Sequence, residues 1–311
     1  MRALVFTGPG AMELRDVEEP VAGTGEVVLD VRAAGICGSE LHGFRAVGFR
    51  KPPLVMGHEF AGTTPDGRRV VANPLISCGE CDLCSRGAPE LCRRRELIGV
   101  HRPGGFTERV AVPSSALHEL PADMSWETAA MVEPLANAVH ALYNVEPVDE
   151  LRLAIIGSGT IGLVCLLVAG QLGFSDVTMV DRARERLTTA ERLGASSCEL
   201  ELQGEYDAIV DAVGAGATRR DGISHLRPGG TMVWLGLAES DSGFDGNLLV
   251  RSEHRVVGSF AYSPDDFTAA LAMAGRLDLS WWTAVSLEDS LATFMSLADG
   301  ATGPVKAVIV P

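Results

Sequence analysis

Over the first 125 residues, apolar positions alternate with polar ones or form short runs that end in Gly or Pro: "ALVFTG", "GEVVLDVRAAG", "RRVVANP" and "GGFTERVAVP". A period of two closed by turn residues predicts strands, and no helical period shows there beyond short turns. From about residue 125 the pattern changes. "SWETAAMVEPLANAVHALYNV" carries apolar residues at helical spacing, and the sequence places the start of that helix at Pro134, leaving Glu133 at its entrance. An apolar run over 151–156 then predicts a strand, followed by a helix to about 172 and a second strand over 177–180. Further strands are expected in "YDAIVDAVG", "GGTMVWLGL" and "HRVVGSFAY", with a helix over 216–226. The chain closes on a helical "SLEDSLATFMSLADG" and a strand, "PVKAVIVP". Strands that alternate with helices and are apolar throughout indicate an α/β fold, a doubly wound parallel sheet covered on both faces. No internal repeat or low-complexity segment interrupts the pattern.

A chain of 311 residues has room for two domains, and 46% hydrophobic with 22% charged residues is ordinary for a globular protein. The formal net charge of -15 argues against nucleic acid as a partner and against an anionic membrane surface. No apolar run is long enough to span a bilayer. "MRALVFTGPG" reads as a strand and a turn rather than a signal peptide, so the expected location is cytoplasmic, with reduced thiols. Seven cysteines, an odd number, then favour metal ligands or free thiols over disulfides.

Four of the seven stand in "SCGECDLCSRGAPELC", as Cys78, Cys81, Cys84 and Cys92. Thiolates at such spacing can converge on one tetrahedral zinc, and an iron–sulfur cluster is the rival occupant. A zinc with four thiolates has no open coordination position, so this site is expected to be structural. Of the remaining cysteines, Cys165 falls within an apolar helix and Cys198 has no partner in sequence.

The strand over 151–156 meets Gly157-Ser158-Gly159-Thr160-Ile161-Gly162, a helix follows, and Asp181 stands 19 positions past the last glycine. That is the context a dinucleotide-binding loop requires. Gly157 permits the tight turn, Gly159 lets a pyrophosphate approach the backbone, and Gly162 lets helix and strand pack closely. The helix N-terminus offers its free N–H groups to the phosphates. Asp181 would bind the adenosine ribose hydroxyls and repel a 2′-phosphate, which favours NAD. Arg182, Arg184 and Arg186 could offset that charge and admit NADP, or could form a solvated helix face.

A second constellation joins Cys37, in "GICGSELH", to His58 and Glu59, in "GHEF", and to Glu133. These supply soft, borderline and hard ligands suited to zinc.

The ordered set "CGSELH", "GHEFAG", the four-cysteine loop, "EPLANAVHAL", "GSGTIG" with Asp181, "GSFAY" and "KAVIV" resembles the zinc-dependent medium-chain alcohol dehydrogenases, in particular the sorbitol and threonine dehydrogenase branch. The resemblance covers nearly the whole chain. It implies a discontinuous, mainly β, GroES-like catalytic domain in residues 1–138 and 259–311, around a Rossmann domain in residues 139–258. It implies two zinc ions per chain and an NAD or NADP cofactor. The catalytic ion would be held by Cys37, His58 and Glu133, with Glu59 as a ligand or supporting group. Ser39 would take the alcohol proton and pass it on through the cofactor ribose towards His42, and Arg186 would contact the cofactor. The activity implied is hydride transfer between a secondary alcohol or polyol and NAD(P), in a homo-oligomer, dimer or tetramer.

Two departures mark this chain. "TTPDGRRVV" after "GHEFAG" is short for the family, and "SSCELELQGEYDAIVDAVG" leaves no room for the usual helix between the third and fourth strands. Two other readings of the same scaffold are a non-catalytic zinc and nucleotide protein, which would lack Cys37 or His58, and a zinc-free reductase, which would lack both metal sets.

Overall fold

A computed structural model describes residues 1–46, 48–146, 150–300 and 303–311. They gather into two compact units, one of Met1–Glu133 with Ala274–Pro311 and one of Pro134–Met273.

The first unit is mainly β. Its larger sheet runs in the order Leu117–Glu119, Arg69–Ala72, Glu59–Thr63, Glu26–Gly35, Lys306–Val310, Trp282–Ser286, and Arg109–Pro113 also pairs with Glu26–Gly35. Neighbours are antiparallel except for the last pair, which is parallel. Alternation sends Leu29 and Val31 inward and leaves Arg32 exposed, as a half-buried strand requires. The core they enter includes Phe6, Met56, Phe60, Phe106, Phe294 and Ile309. Phe294 sets its ring edge-on to Phe44, with centroids 5.2 Å apart.

The second unit holds six parallel strands in the order Ser197–Glu199, Asp176–Val180, Arg152–Ile156, Tyr206–Asp211, Leu226–Trp234, Arg255–Gly258. The chain builds outward on one side of Arg152–Ile156, then returns to build on the other. Order therefore reverses between Arg152–Ile156 and Tyr206–Asp211, and in such sheets ligands bind beyond the C-terminal strand ends at that point. The apolar texture of the helix Thr160–Gln171 has its cause in burial: Gly162 to Ala169, Cys165 included, are all buried.

Two sequence expectations shift, and a third holds. The helix placed at Pro134 begins at Val132 and runs to Leu142, behind a separate short helix, Trp126–Ala130. Proline is tolerated throughout a first turn, whose N–H groups have no partner within the helix, so it does not fix the start at itself. Glu133 therefore lies inside the first turn. The strand expected over 254–262 spans only Arg255–Gly258, and Ala261 takes a positive φ of 52°. Between Ser197–Glu199 and Tyr206–Asp211 there are no helical residues, as the short connection demands. Among the described residues no helix is long and apolar enough to cross a membrane.

Candidate functional site

The four-cysteine lobe is held by small local structures. Cys78 precedes a turn at Gly79, Cys81 precedes the helix Asp82–Ser85 that carries Cys84, and Cys92 follows the turn Pro89–Leu91. Their sulfurs converge, with Sγ–Sγ distances of 3.4 Å for Cys78–Cys92, 3.5 Å for Cys81–Cys84, and 3.9 Å for both Cys78–Cys84 and Cys81–Cys92. A tetrahedron with Zn–S bonds of about 2.3 Å has edges of about 3.8 Å, so these distances suit zinc. The cluster is also electrostatically unbalanced by itself. Backbone N–H groups pull the Cys81 thiol down to about 6, while desolvation and neighbouring thiols push Cys84 up to about 12. A divalent cation would let all four ionise together.

The second cluster is assembled by the sheet. Glu26–Gly35 and Glu59–Thr63 pair so that Gly35 faces Glu59, which brings Cys37, just past the first strand, to His58, just before the second. Ligand atoms of Cys37, His58 and Glu59 all lie within 4.8 Å of one another, with His58 and Glu59 buried. Glu133, itself buried, falls outside that group.

Glu40, absent from the sequence-derived set, organises this cluster. It is fully buried, and its Oε1 accepts from Gly57 N at 2.8 Å and lies 3.0 Å from His58 Nδ1. Its Oε2 accepts from Cys37 N at 3.0 Å. Burial alone would raise the Glu40 pKa, but His58 outweighs it and holds the group ionised. An ionised carboxylate can only accept, so the proton sits on Nδ1 and Nε2 is left for a metal. Burial likewise disfavours a charged His58, yet Glu40 and Cys37 raise its pKa well above the ordinary value. Glu40 and Cys37 thus favour positive charge at His58, as expected of a cation site.

Lys306 is the second residue that sequence reading passed over. Its Nζ is bonded to Glu59 Oε2 and donates to Ile36 O at 3.1 Å. A Cβ on Gly35 would lie 2.1 Å from Glu59 Oε2 and 2.8 Å from Lys306 Cε, so only glycine admits the pair. Ser39 and His42 are both exposed on the helix Gly38–Gly43, and Ser39 Oγ donates to Cys37 Sγ at 3.3 Å.

In the second unit the glycine loop has the three properties its spacing implies. Gly157 has φ 101°, nothing stands within 4 Å of a Cβ placed on Gly159, and a Cβ on Gly162 would come 1.7 Å from Gly157 O. Ser158 is fully buried and its Oγ has no partner. Asp181 accepts from Ser158 N at 2.8 Å and Ala183 N at 2.9 Å, tying the loop to the end of the neighbouring strand. Open space over Gly159 beside a free hydroxyl and a carboxylate suits a nucleotide. Arg182, Arg184 and Arg186 are exposed.

Comparisons with known proteins agree with this architecture. Residues 23–122 match the alcohol dehydrogenase GroES-like domain, and residues 160–276 match the zinc-binding dehydrogenase family. The L-threonine 3-dehydrogenase of Streptomyces coelicolor is 33% identical, covering 98% of both chains. The L-galactonate-5-dehydrogenase of Escherichia coli K12 is 28% identical over 89% of this chain and 87% of its own. A Sinorhizobium meliloti 1021 protein solved with bound NADP superposes with a TM-score of 0.93 at 27% identity, covering 100% of this chain and 99% of the other.

Proposed function

The chain belongs to the zinc-dependent medium-chain alcohol dehydrogenases, and we propose that it oxidises a secondary alcohol of a polyol, sugar acid or amino alcohol with NAD as the preferred acceptor. The observation that carries this reading is the Cys37–His58–Glu59 group, in which His58 and Glu59 are buried and His58 is already oriented by Glu40.

Bound zinc would supply Lewis acidity to a substrate hydroxyl, and the nicotinamide would accept the hydride. Cys37 and His58 would hold the metal, with Glu133 as third ligand. Glu40 fixes the imidazole tautomer. Lys306 balances the charge of Glu59, which supports the ligands from behind. Ser39, exposed next to Cys37, would take the hydroxyl proton and His42 would release it to solvent. The reaction balances as alcohol and NAD+ giving ketone, NADH and one proton. Gly157 to Gly162 would seat the pyrophosphate, Asp181 the adenosine ribose, and Arg186 would contact the cofactor.

The four-cysteine lobe would hold a second, structural zinc, since its sulfurs leave no open position. A cytoplasmic location, consistent with seven cysteines free of disulfides, and a homo-oligomeric assembly, dimer or tetramer, complete the reading. The test is a dehydrogenation screen across sugar alcohols, sugar acids, amino alcohols and simple secondary alcohols, with NAD and NADP in parallel. Turnover of at least one class, lost in His58→Ala, is expected. No turnover by zinc-replete protein with any of these classes would overturn the reading.

A further inference from the structure

Beyond the C-terminal end of the strand Leu226–Trp234, the segment 235–242 lies against the turn that follows Tyr206–Asp211. The two are joined by their backbones. Leu235 N and Gly236 N donate to Asp211 O at 3.0 and 2.8 Å, and Glu239 N donates to Gly214 O at 2.9 Å. Approach is so close that a Cβ on Gly214 would lie 2.0 Å from the Gly236 carbonyl carbon. The same turn reaches the glycine loop, since a Cβ on Gly157 would meet Val213 Cγ2 at 2.7 Å. Three loops thus meet at the point where strand order reverses, and Leu237 stands 80% exposed on the third.

One buried cation fastens that third loop. Arg219, 6% exposed on the helix Gly216–Ser224, donates to Glu239 O at 3.0 Å, to Ser242 Oγ at 2.5 Å and to Gly236 O at 3.1 Å. Its guanidinium stacks 4.7 Å from the Trp234 ring centroid, and its Nε lies 3.9 Å from the fully buried Asp211. Glu239 closes the arrangement by accepting from Gly216 N at 2.8 Å. A planar, permanently charged fork is the side chain that can hold two carbonyls and a hydroxyl while stacked on an aromatic ring.

We propose that Arg219 is a positioning residue for the nicotinamide half of the cofactor, holding 235–242 in the conformation that receives it. The proposal rests on the dehydrogenase reading above. A sheet of this order binds a dinucleotide across two mononucleotide-binding halves. Asp181 and the glycine loop belong to the adenosine half, whereas 211–214 and 235–242 belong to the other. Arg219 therefore acts on one half of the ligand only.

The test is calorimetric titration of the full zinc-loaded chain with NADH and with AMP, on wild type, Arg219→Met, Arg219→Lys and Ser242→Ala. If the methionine variant leaves the loop in its receptive form about a tenth of the time, NADH binding weakens about ten-fold while AMP binding stays within about two-fold. Arg219→Lys should recover part of the loss. Ser242→Ala, which removes a single contact, should weaken NADH in the same direction by less, and it serves alone if Arg219→Met does not fold. NADH and AMP weakening in parallel would show general loosening and overturn the proposal, as would NADH binding that no variant changes. A wild type that binds AMP but not NADH would overturn the dehydrogenase reading, and this proposal with it.

Discussion

The ammonium group of Lys306 is buried against the carboxylate of Glu59, although 247 positions separate them in the chain. Each charge offsets the desolvation of the other. Burial would lower the pKa of Lys306, but Glu59 and the charges of Cys37 and Glu40 raise it, so the lysine stays protonated. Removing one partner leaves an unpaired buried charge, a change that typically costs about 3–5 kcal/mol. Lys306→Met should therefore destabilise the protein by that order in urea unfolding, and adding Glu59→Gln should recover much of the loss. A single variant that costs under about 1 kcal/mol would show that the pair is not coupled in the native state.

This pair also marks where sequence reading stops. The glycine loop with Asp181 and the four-cysteine lobe were legible because all their chemistry lies in short, regularly spaced stretches. Glu40 and Lys306 act on residues that only the sheet brings near. Each left a local trace: Glu40 is the third residue of the helix Gly38–Gly43 that Cys37 caps, and Lys306 opens an otherwise apolar strand. Such traces show an odd residue without naming its partner. Arg219 was hidden in the same way, as one of two adjacent arginines on a helix, with its burial dependent on a distant loop.

For the cysteine lobe, elemental analysis should find zinc. Cys84→Ser should release about one ion per chain and lower the melting temperature, because structural metal binding is part of the folding free energy. Iron accompanied by sulfide, or an unchanged metal content in the variant, would contradict the zinc assignment.

Asp181 accepts from Ser158 N in the structure, and it is also the residue proposed to bind the adenosine ribose. Asp181→Ala should therefore raise the KM for NAD and narrow the preference over NADP by relieving repulsion of a 2′-phosphate. Zinc content should not change. A wild type clearly more efficient with NADP would mean that Arg182, Arg184 and Arg186 outweigh the aspartate.

Asp266 offers a pH test away from the metal clusters. Its Oδ2 accepts from Ser263 N at 2.8 Å and Ser263 Oγ at 2.7 Å, and lies 2.8 Å from His140 Nδ1. Burial raises its pKa, but these partners prevail and hold it below the ordinary carboxylate range. A depressed folded-state value gives stability that is fully present above the unfolded pKa of about 3.9 and is lost as pH falls through the folded value. Asp266→Asn should cost about 1–2 kcal/mol at pH 7, with the gap to wild type closing below about pH 4. A gap that stays constant down to pH 3 would exclude the carboxylate charge as its source.

The third ligand of the zinc proposed at Cys37 and His58 is the assignment on which the site most depends. Glu59 is near enough to both ligands, but one of its oxygens is already engaged by Lys306. A carboxylate neutralised by a buried ammonium is a poor donor to a cation, and suits a supporting place behind the ligands. Glu133 is buried in the first turn of Val132–Leu142, and lies outside the 4.8 Å group. For it to bind, its carboxylate must turn towards Cys37 and His58 when the metal enters. Glu133→Ala should then release about one of two zinc ions and abolish dehydrogenation, since a catalytic zinc needs three protein ligands and one open position. NADH binding should persist, which separates loss of the ligand from loss of the fold. Glu59→Gln should keep both ions. The reverse pattern, zinc retained in Glu133→Ala and lost in Glu59→Gln, would make Glu59 the ligand and require Lys306 to give up its partner when zinc binds.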